Sequence, residues 1–345
     1  MKLSVLSIVS LFSFIFSLNP LVVSVNGYEN PTAYYIGDVA INCGYYGNST
    51  AVNGRPWFGD TGTRSVIYVN PGQKFIRLHF YPSSYRGFEN SQDFNVKAGP
   101  FTLLKNFSAS LAANALGVKY LVKEFCLNVE VNKYLNITFY PSQFTKDRSI
   151  YAFVNGIEII SMPTGLYYTN DGDLGSRVVG QGNRYHYIDN TTALEMVQRL
   201  NIGGSSISTE EDFGMFRRWG EDANFFLESE LELANHLVHQ IKYTGIPVYI
   251  APPKIYQTSW KTLKDKRGDN MHNFTWKIPV DVGFEYLVRF HFCDFEIQMT
   301  GGGQKEFSVL INNHVAEDKA DVISWSSNIQ GLHADGEGRQ RSRQV

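Results

Sequence analysis

Apolar and polar side chains alternate with a period of two over residues 75–81, F-I-R-L-H-F-Y, and again over residues 287–293, L-V-R-F-H-F-C. Each run follows a Pro-Gly or Val-Gly turn, the pattern of a half-buried strand. Arg77 is matched by Arg289, His79 by His291 and Phe80 by Phe292, at an offset of 212 residues. That spacing exceeds a solenoid period and suits a duplicated domain, so two tandem copies of one β domain are predicted. The flanks agree: Phe94-Asn95-Val96 follows the first copy as Phe307-Ser308-Val309 follows the second, and Asn42-Cys43-Gly44 with Trp57 resembles Asn201-Ile202-Gly203 with Trp219. The register breaks between the Trp and the R-x-H-F strand. Trp57 precedes His79 by 22 residues and Trp219 precedes His291 by 72. Roughly 50 residues, enough for several strands, are thus missing from copy one or inserted into copy two.

The rest of the chain also reads as short strands divided by turns. A strand is predicted over residues 36–44 and another over 66–69, then two around Gly99-Pro100 and two more over 120–131 and 135–140. Residues 111–116 predict a short helix. The Asn155-Gly156 pair between apolar runs is a hairpin signal. Residues 191–200 predict a second short helix, and 227–241 fits either a helix or a loop and strand. The glycines at 301–303 predict a hairpin turn, with residues 306–311 pairing back. Short strands of this regularity favour an antiparallel sandwich or jelly roll over a parallel α/β sheet, so the fold class is all-β.

Composition sets the class of partner. The 345 residues are 43% hydrophobic and 14% aromatic, with a net charge of −2. Such a chain can bury sizeable cores and offers no electrostatic case for nucleic acid or an anionic membrane. Residues 1–27 begin with Lys2, run apolar and end in small residues, the pattern of a secretory signal peptide. Later runs fall short of the roughly 20 apolar residues of a membrane span. Secretion gives meaning to five sequons, at Asn48, Asn106, Asn136, Asn190 and Asn273, as glycosylation sites. Cys43, Cys126 and Cys293 allow at most one disulfide within the chain and leave a thiol over. Cys126 and Cys293 sit in strand-like runs, where a buried reduced cysteine is the simpler reading.

The chain divides into a signal peptide (1–27), a first domain (28–165), a linker rich in glycine (166–190), a second, incomplete domain (191–327) and a disordered polar tail (328–345). Catalytic and metal chemistry find no carrier in the pattern. His236-x-x-His239 lacks the spacing and the Glu of a zinc-protease helix. Three cysteines without His spacing do not make a zinc site, and no metal or other cofactor is implied. Glu210-Glu211 and Glu221-Asp222 read as loop charges rather than a glycosidase pair. Arg77-x-His79 and Arg289-x-His291 read as structural pairs, stems packed and heads hydrogen-bonded. What remains for recognition is aromatic: Tyr81, Tyr85 and Phe88 in one loop and Tyr167 and Tyr168 in another are candidates to stack on a sugar or anchor a peptide.

Many motifs together resemble one family. N-C-G near the start, I-R-L-H-F-Y-P-S-S-Y, G-P-F-T-L-L-K-N-F-S-A-S, Y-A-F-V-N-G-I-E-I-I-S-M-P, R-L-N-I-G-G-S-S-I-S, G-M-F-R-R-W, I-P-V-Y-I-A-P, L-V-R-F-H-F-C and A-D-V-I-S-W stand in the order found in the tandem malectin-like ectodomains of plant receptor kinases of the FERONIA and THESEUS group. The resemblance covers residues 40–325. It implies two malectin-like β-sandwich domains outside the cell, taking part in cell-wall sensing or in recognition of a secreted peptide with a lipid-anchored co-receptor. A cell-wall polysaccharide is the other partner it implies. The sequence departs from the family in the short segment after R-P-W, and kinase motifs do not occur in it. The expectation is a non-enzymatic receptor-like ligand-binding ectodomain. A carbohydrate-active enzyme with an unrecognised site, or a non-functional fragment of a plasma-membrane receptor Ser/Thr kinase, are the alternatives.

Overall fold

The computed structural model describes residues 38–344, apart from 62–68, 84–92, 131–133, 143–150, 213, 229–230, 236–240, 244–246, 263–272, 295–301, 304–305 and 327–337. The predicted signal peptide, residues 66–68 of the predicted strand over 66–69 and the His236/His239 pair lie outside the described residues.

The first copy is built from β1 (Val39–Tyr46), β2 (Asn48–Thr50), β3 (Pro56–Thr61), β4 (Gly72–Phe80), β5 (Phe94–Ala98), β6 (Phe101–Phe107), β7 (Leu121–Val129), β8 (Ile137–Pro141) and β9 (Gly156–Ser161). The connection carries β10 (Ser176–Arg177), β11 (Tyr185–His186) and β12 (Leu194–Glu195). The second copy has β13 (Leu200–Asn201), β14 (Gly220–Glu221), β15 (Leu231–Asn235), β16 (Ile241–Lys242), β17 (Thr258–Thr262), β18 (Arg289–Asp294), β19 (Phe307–Ile311), β20 (His314–Ala320) and β21 (Gly338–Gln344).

A seven-stranded sheet of order β12-β7-β4-β9-β1-β3-β2 faces a three-stranded sheet of order β6-β5-β8. The R-x-H-F strand β4 lies inside the large sheet, antiparallel to β7 on one side and β9 on the other. Its alternation serves both faces. Ile76, Leu78 and Phe80 enter the core between the sheets with Phe94, Val96, Leu104, Phe125 and Leu127. Phe75 points the other way, into a second core with Cys126, Ile160, Leu166, Tyr168, Met215 and Phe216. The helix Ala109–Leu116 closes one end of the sandwich, with Ser108 as N-cap and Gly117 at φ 65° as C-cap, the usual stop and start chemistry.

The duplication is visible in register. Asn42 pairs with Gly59 in the parallel β1–β3 ladder, and Asn201 with Glu221 in the parallel β13–β14 ladder, so each Asn faces the residue two beyond its Trp. Gly44 N–H donates to Asp60 at 2.7 Å, and Gly203 N–H to Asp222 at 3.0 Å. Both glycines have positive φ, 77° and 65°, which frees the N–H to reach the carboxylate. Phe80 meets Phe94 with ring centroids 5.8 Å apart, and Phe292 meets Phe307 at 5.5 Å.

Several expectations are corrected. Residues 191–200 form no helix: Leu194–Glu195 adds to the large sheet beside β7, because that edge offers a ladder that one helical turn cannot match. Asn155-Gly156 does not turn a hairpin; it opens β9, with Asn155 N–H bonded to the His79 carbonyl and its own carbonyl accepting from Cys43 N–H. The segment at 306–311 does not pair back on the R-x-H-F strand. β19 pairs with β20 around Asn312-Asn313, whose φ values of 48° and 63° suit a tight hairpin. Within the tail expected to lack order over 328–345, residues 338–344 form β21, antiparallel to β18, and residues 328–337 lie outside the described residues. Within the segment read as a linker, Leu166, Tyr168 and Ile188 are buried.

Candidate functional site

A buried polar cluster lies on the face of β4 that Phe75 shares, where the alternation places Arg77 and His79. Arg77 donates to Glu124 on β7 at 2.5 Å and to the Met215 carbonyl at 2.7 Å. Glu124 also accepts from Arg199. On the other side, Glu158 of β9 lies 2.6 Å from His79 Nε2 and 2.7 Å from Arg55, whose guanidinium sits 4.0 Å over the Phe216 ring. Burial alone would raise the Glu124 carboxyl, but Arg199 and Arg77 hold it at about 2. Glu158 is likewise pushed up by burial and held at about 2 by His79, Arg77 and Arg55.

The second copy answers with Arg289. It donates to the Leu166 carbonyl and lies 4.9 Å over the Tyr167 ring. Each R-x-H-F strand is thus tied to a backbone carbonyl outside its own sheet: Arg77 to Met215 of the second copy, and Arg289 to Leu166 of the connection, in the core patch with Phe75. Between them Arg217, wholly buried, forks onto Asp212 and donates to the carbonyls of Ile250 and Tyr249. His291 is driven down to about 3 by burial, then by Arg289 and Arg217, so its imidazole is neutral and bonds Tyr256 Oη at 3.1 Å. These groups are tied to one another, and their chemistry is that of a clamp. Asp222, read from sequence as a loop charge, is buried and accepts from Gly203 N–H and from the indoles of Trp260 and Trp276, each at 2.7 Å.

The aromatic candidates separate. Tyr81 is half exposed, its backbone N–H fixed by the Asn155 side chain at 2.6 Å. Tyr85 and Phe88 lie outside the described residues. Tyr167 is half-buried between Arg289 and Phe75. Tyr168 is corrected to a core residue: it is 3% exposed and its hydroxyl donates to the Thr192 carbonyl, because the segment folds back onto the sheet. Tyr45 and Tyr46, at the end of β1, are exposed too, which nothing in C-G-Y-Y signals, since it does not tell an outward strand end from an inward one. All five sequon asparagines are exposed. Asn190 accepts a hydrogen bond from Gln73 through its carbonyl oxygen, which leaves its amide nitrogen for a glycan.

The malectin-like domain profile matches residues 56–334. The chain belongs to the malectin-like domain family. It is 43% identical over 272 residues to receptor-like protein kinase FERONIA of Arabidopsis thaliana, a match covering 77% of this chain and 30% of that protein. The chain thus spans under a third of the length of this curated relative. Among solved structures, the crystal structure of plant receptor-like kinase FER aligns with a TM-score of 0.73 and 35% identity, over 89% of this chain and 86% of that one. The crystal structure of plant peptide RALF23 in complex with FER and LLG2 aligns with a TM-score of 0.73 and 34% identity, covering 89% and 85%. The malectin-like chain is all-β, as these ectodomains are. Among the described residues, its second copy places β15, β16 and β17 between β14 and β18, and its first copy places none between β3 and β4.

Proposed function

We propose that this chain is an extracellular receptor-type recognition module that binds a secreted peptide together with a lipid-anchored co-receptor at the plasma membrane, and catalyses nothing itself. The observation that carries the reading is the likeness, over 89% of the chain, to a FER ectodomain crystallised with a peptide and LLG2. A carbohydrate-active enzyme is disfavoured because both fully engaged carboxylates on the β4 sheet, Glu124 and Glu158, are bonded to cations that keep them ionised and occupied. Cell-wall polysaccharide is the second ligand class of this reading, served by the exposed aromatic edge of Tyr45, Tyr46 and Tyr81.

The test is calorimetry on the secreted chain, titrated with RALF23 in the presence and absence of LLG2. Binding that tightens when LLG2 is present supports the reading. A cooperatively folded chain that binds neither the peptide nor pectin oligosaccharides overturns it.

A further inference from the structure

Asn-Gly occurs three times in the chain, at 26–27, 53–54 and 155–156, and the second and third pairs fall among the described residues. Those two stand in opposite surroundings. Asn155 N–H bonds the His79 carbonyl at 2.9 Å, its carbonyl accepts from Cys43 N–H at 3.0 Å, and its Oδ1 accepts from Tyr81 N–H at 2.6 Å. Gly156 is buried beneath the Trp57 indole and laddered to His79 on one side and Asn42 on the other. Asn53 and Gly54 instead turn the chain between β2 and β3, beside the fully exposed Val52. Two backbone bonds of 2.9 Å close that turn, Ala51 N–H to the Arg55 carbonyl and Gly54 N–H to the Ala51 carbonyl. A Cβ on Gly54, whose φ is 80°, would meet nothing within 4 Å. Arg55 N–H donates to Asn53 Oδ1 at 3.2 Å, which folds the side-chain amide back along the turn and draws electron density from its Cγ.

We propose that Asn53 is a site of spontaneous modification, converting to aspartate and isoaspartate through a succinimide, while the ladders keep Asn155 intact. Once the Gly54–Ala51 bond opens, the Gly54 nitrogen gives its proton to solvent and bonds Asn53 Cγ; the Cγ–Nδ2 bond breaks and ammonia leaves. Water then opens the ring at either carbonyl. Glycine admits the attack because it carries no side chain to obstruct the nitrogen and lets the backbone turn to meet Cγ. The consequence falls on the contact between the two copies. Either product sets a carboxylate two residues before Arg55, whose guanidinium bonds Glu158 at 2.7 Å and lies 4.0 Å over the Phe216 ring, and isoaspartate also lengthens the main chain there. This site does not depend on which peptide or sugar the module recognises.

The intact secreted chain, held at mildly alkaline pH, is digested with its glycans in place and sequenced by fragment-ion mass spectrometry at intervals. Asn53 is expected to gain the mass of deamidation about tenfold faster than Asn155 or more, because Asn155 must first leave its ladders. Two products of equal mass, separable by chromatography, should appear at Asn53. In denaturant the two pairs should react at like rates. Asn53→Gln, whose longer side chain closes a ring far more slowly, should remove both products and leave Asn155 as it was. An unreacted Asn53, an Asn155 that reacts as fast in the native chain, or aspartate without isoaspartate would each overturn the proposal.

Discussion

Trp57 stands edge-on to His79, ring centroids 5.5 Å apart, and 162 residues later Trp219 repeats the contact with His291 at 5.6 Å. The two pairs hold the parallel β1–β3 and β13–β14 ladders against the R-x-H-F strands. Trp219 is 4% exposed and Trp57 half-buried. Trp219→Ala is therefore expected to cost about 3–5 kcal/mol as a large-to-small core change, and Trp57→Ala less. Urea unfolding of the two variants checks the order; equal losses would contradict it.

Glu124 holds two buried arginines, Arg77 and Arg199, at once. Glu124→Gln leaves Arg199 without its carboxylate and Arg77 with only Glu158, 3.8 Å away, and should cost about 3–5 kcal/mol. The pH dependence has a defined sign. Glu124 and Glu158 fall from 4.5 to about 2 on folding, so their contribution is complete above pH 4.5 and is lost as pH drops towards 2. The urea midpoint of the parent chain should fall steeply between those limits, and that of Glu124→Gln less so.

Gly44 and Gly203 share a positive φ and the same hydrogen bond, yet they differ in room. A Cβ on Gly44 meets nothing within 4 Å, whereas one on Gly203 would lie 2.6 Å from the Ser259 backbone. Gly44→Ala should cost about 1 kcal/mol from its left-handed backbone alone. Gly203→Ala should cost distinctly more, as read from thermal unfolding of the matched pair.

Cys43, Cys126 and Cys293 are all free thiols. Burial, then the nearby Asp60, pushes the Cys43 thiol up to about 11, and burial with Asp294 pushes Cys293 to about 12. Burial, then Glu124, raises Cys126 further. Iodoacetamide at pH 8 should thus label the native chain slowly, with Cys126 last, and label three thiols after denaturation. A mass unchanged by reduction goes with the same result.

Exposure of the five sequon asparagines sets a glycan expectation. Secreted from plant cells, the chain should lose mass on peptide N-glycosidase treatment, with Asn→Asp conversion found at Asn48, Asn106, Asn136, Asn190 or Asn273. Asn190 is the informative case, because a glycan there adjoins its bond to the buried Gln73. Asn190→Gln should lower stability slightly more than Asn48→Gln.

Much of the fold was legible because alternation reports which face of a strand is wet. The R-x-H-F strands, the strands around Gly99-Pro100 and the helix closed by Gly117 all stand where local pattern put them. The structural role of Arg77 and His79 was legible too, since a charged residue on a strand with two apolar faces needs a partner. Pattern failed where a segment had two uses. Residues 191–200 have helical spacing, but the open edge of β7 took Leu194–Glu195 as strand. Tyr168 resembles a loop aromatic, but its segment folds under Phe75.

By itself the sequence determined the all-β class, the doubling of one unit and the Asn, Gly, Trp, Arg and His positions that the two units share, because these depend on periodicity and on residue identity at fixed spacing. It did not determine partners. That Arg77 grips Met215, that Arg289 grips Leu166, and that Glu158 of β9 stands opposite Arg77 were decided only by the tertiary structure. The physical reason is distance along the chain: each of these contacts joins segments dozens of residues or more apart, and local patterning specifies the face a side chain turns to, not what it meets there.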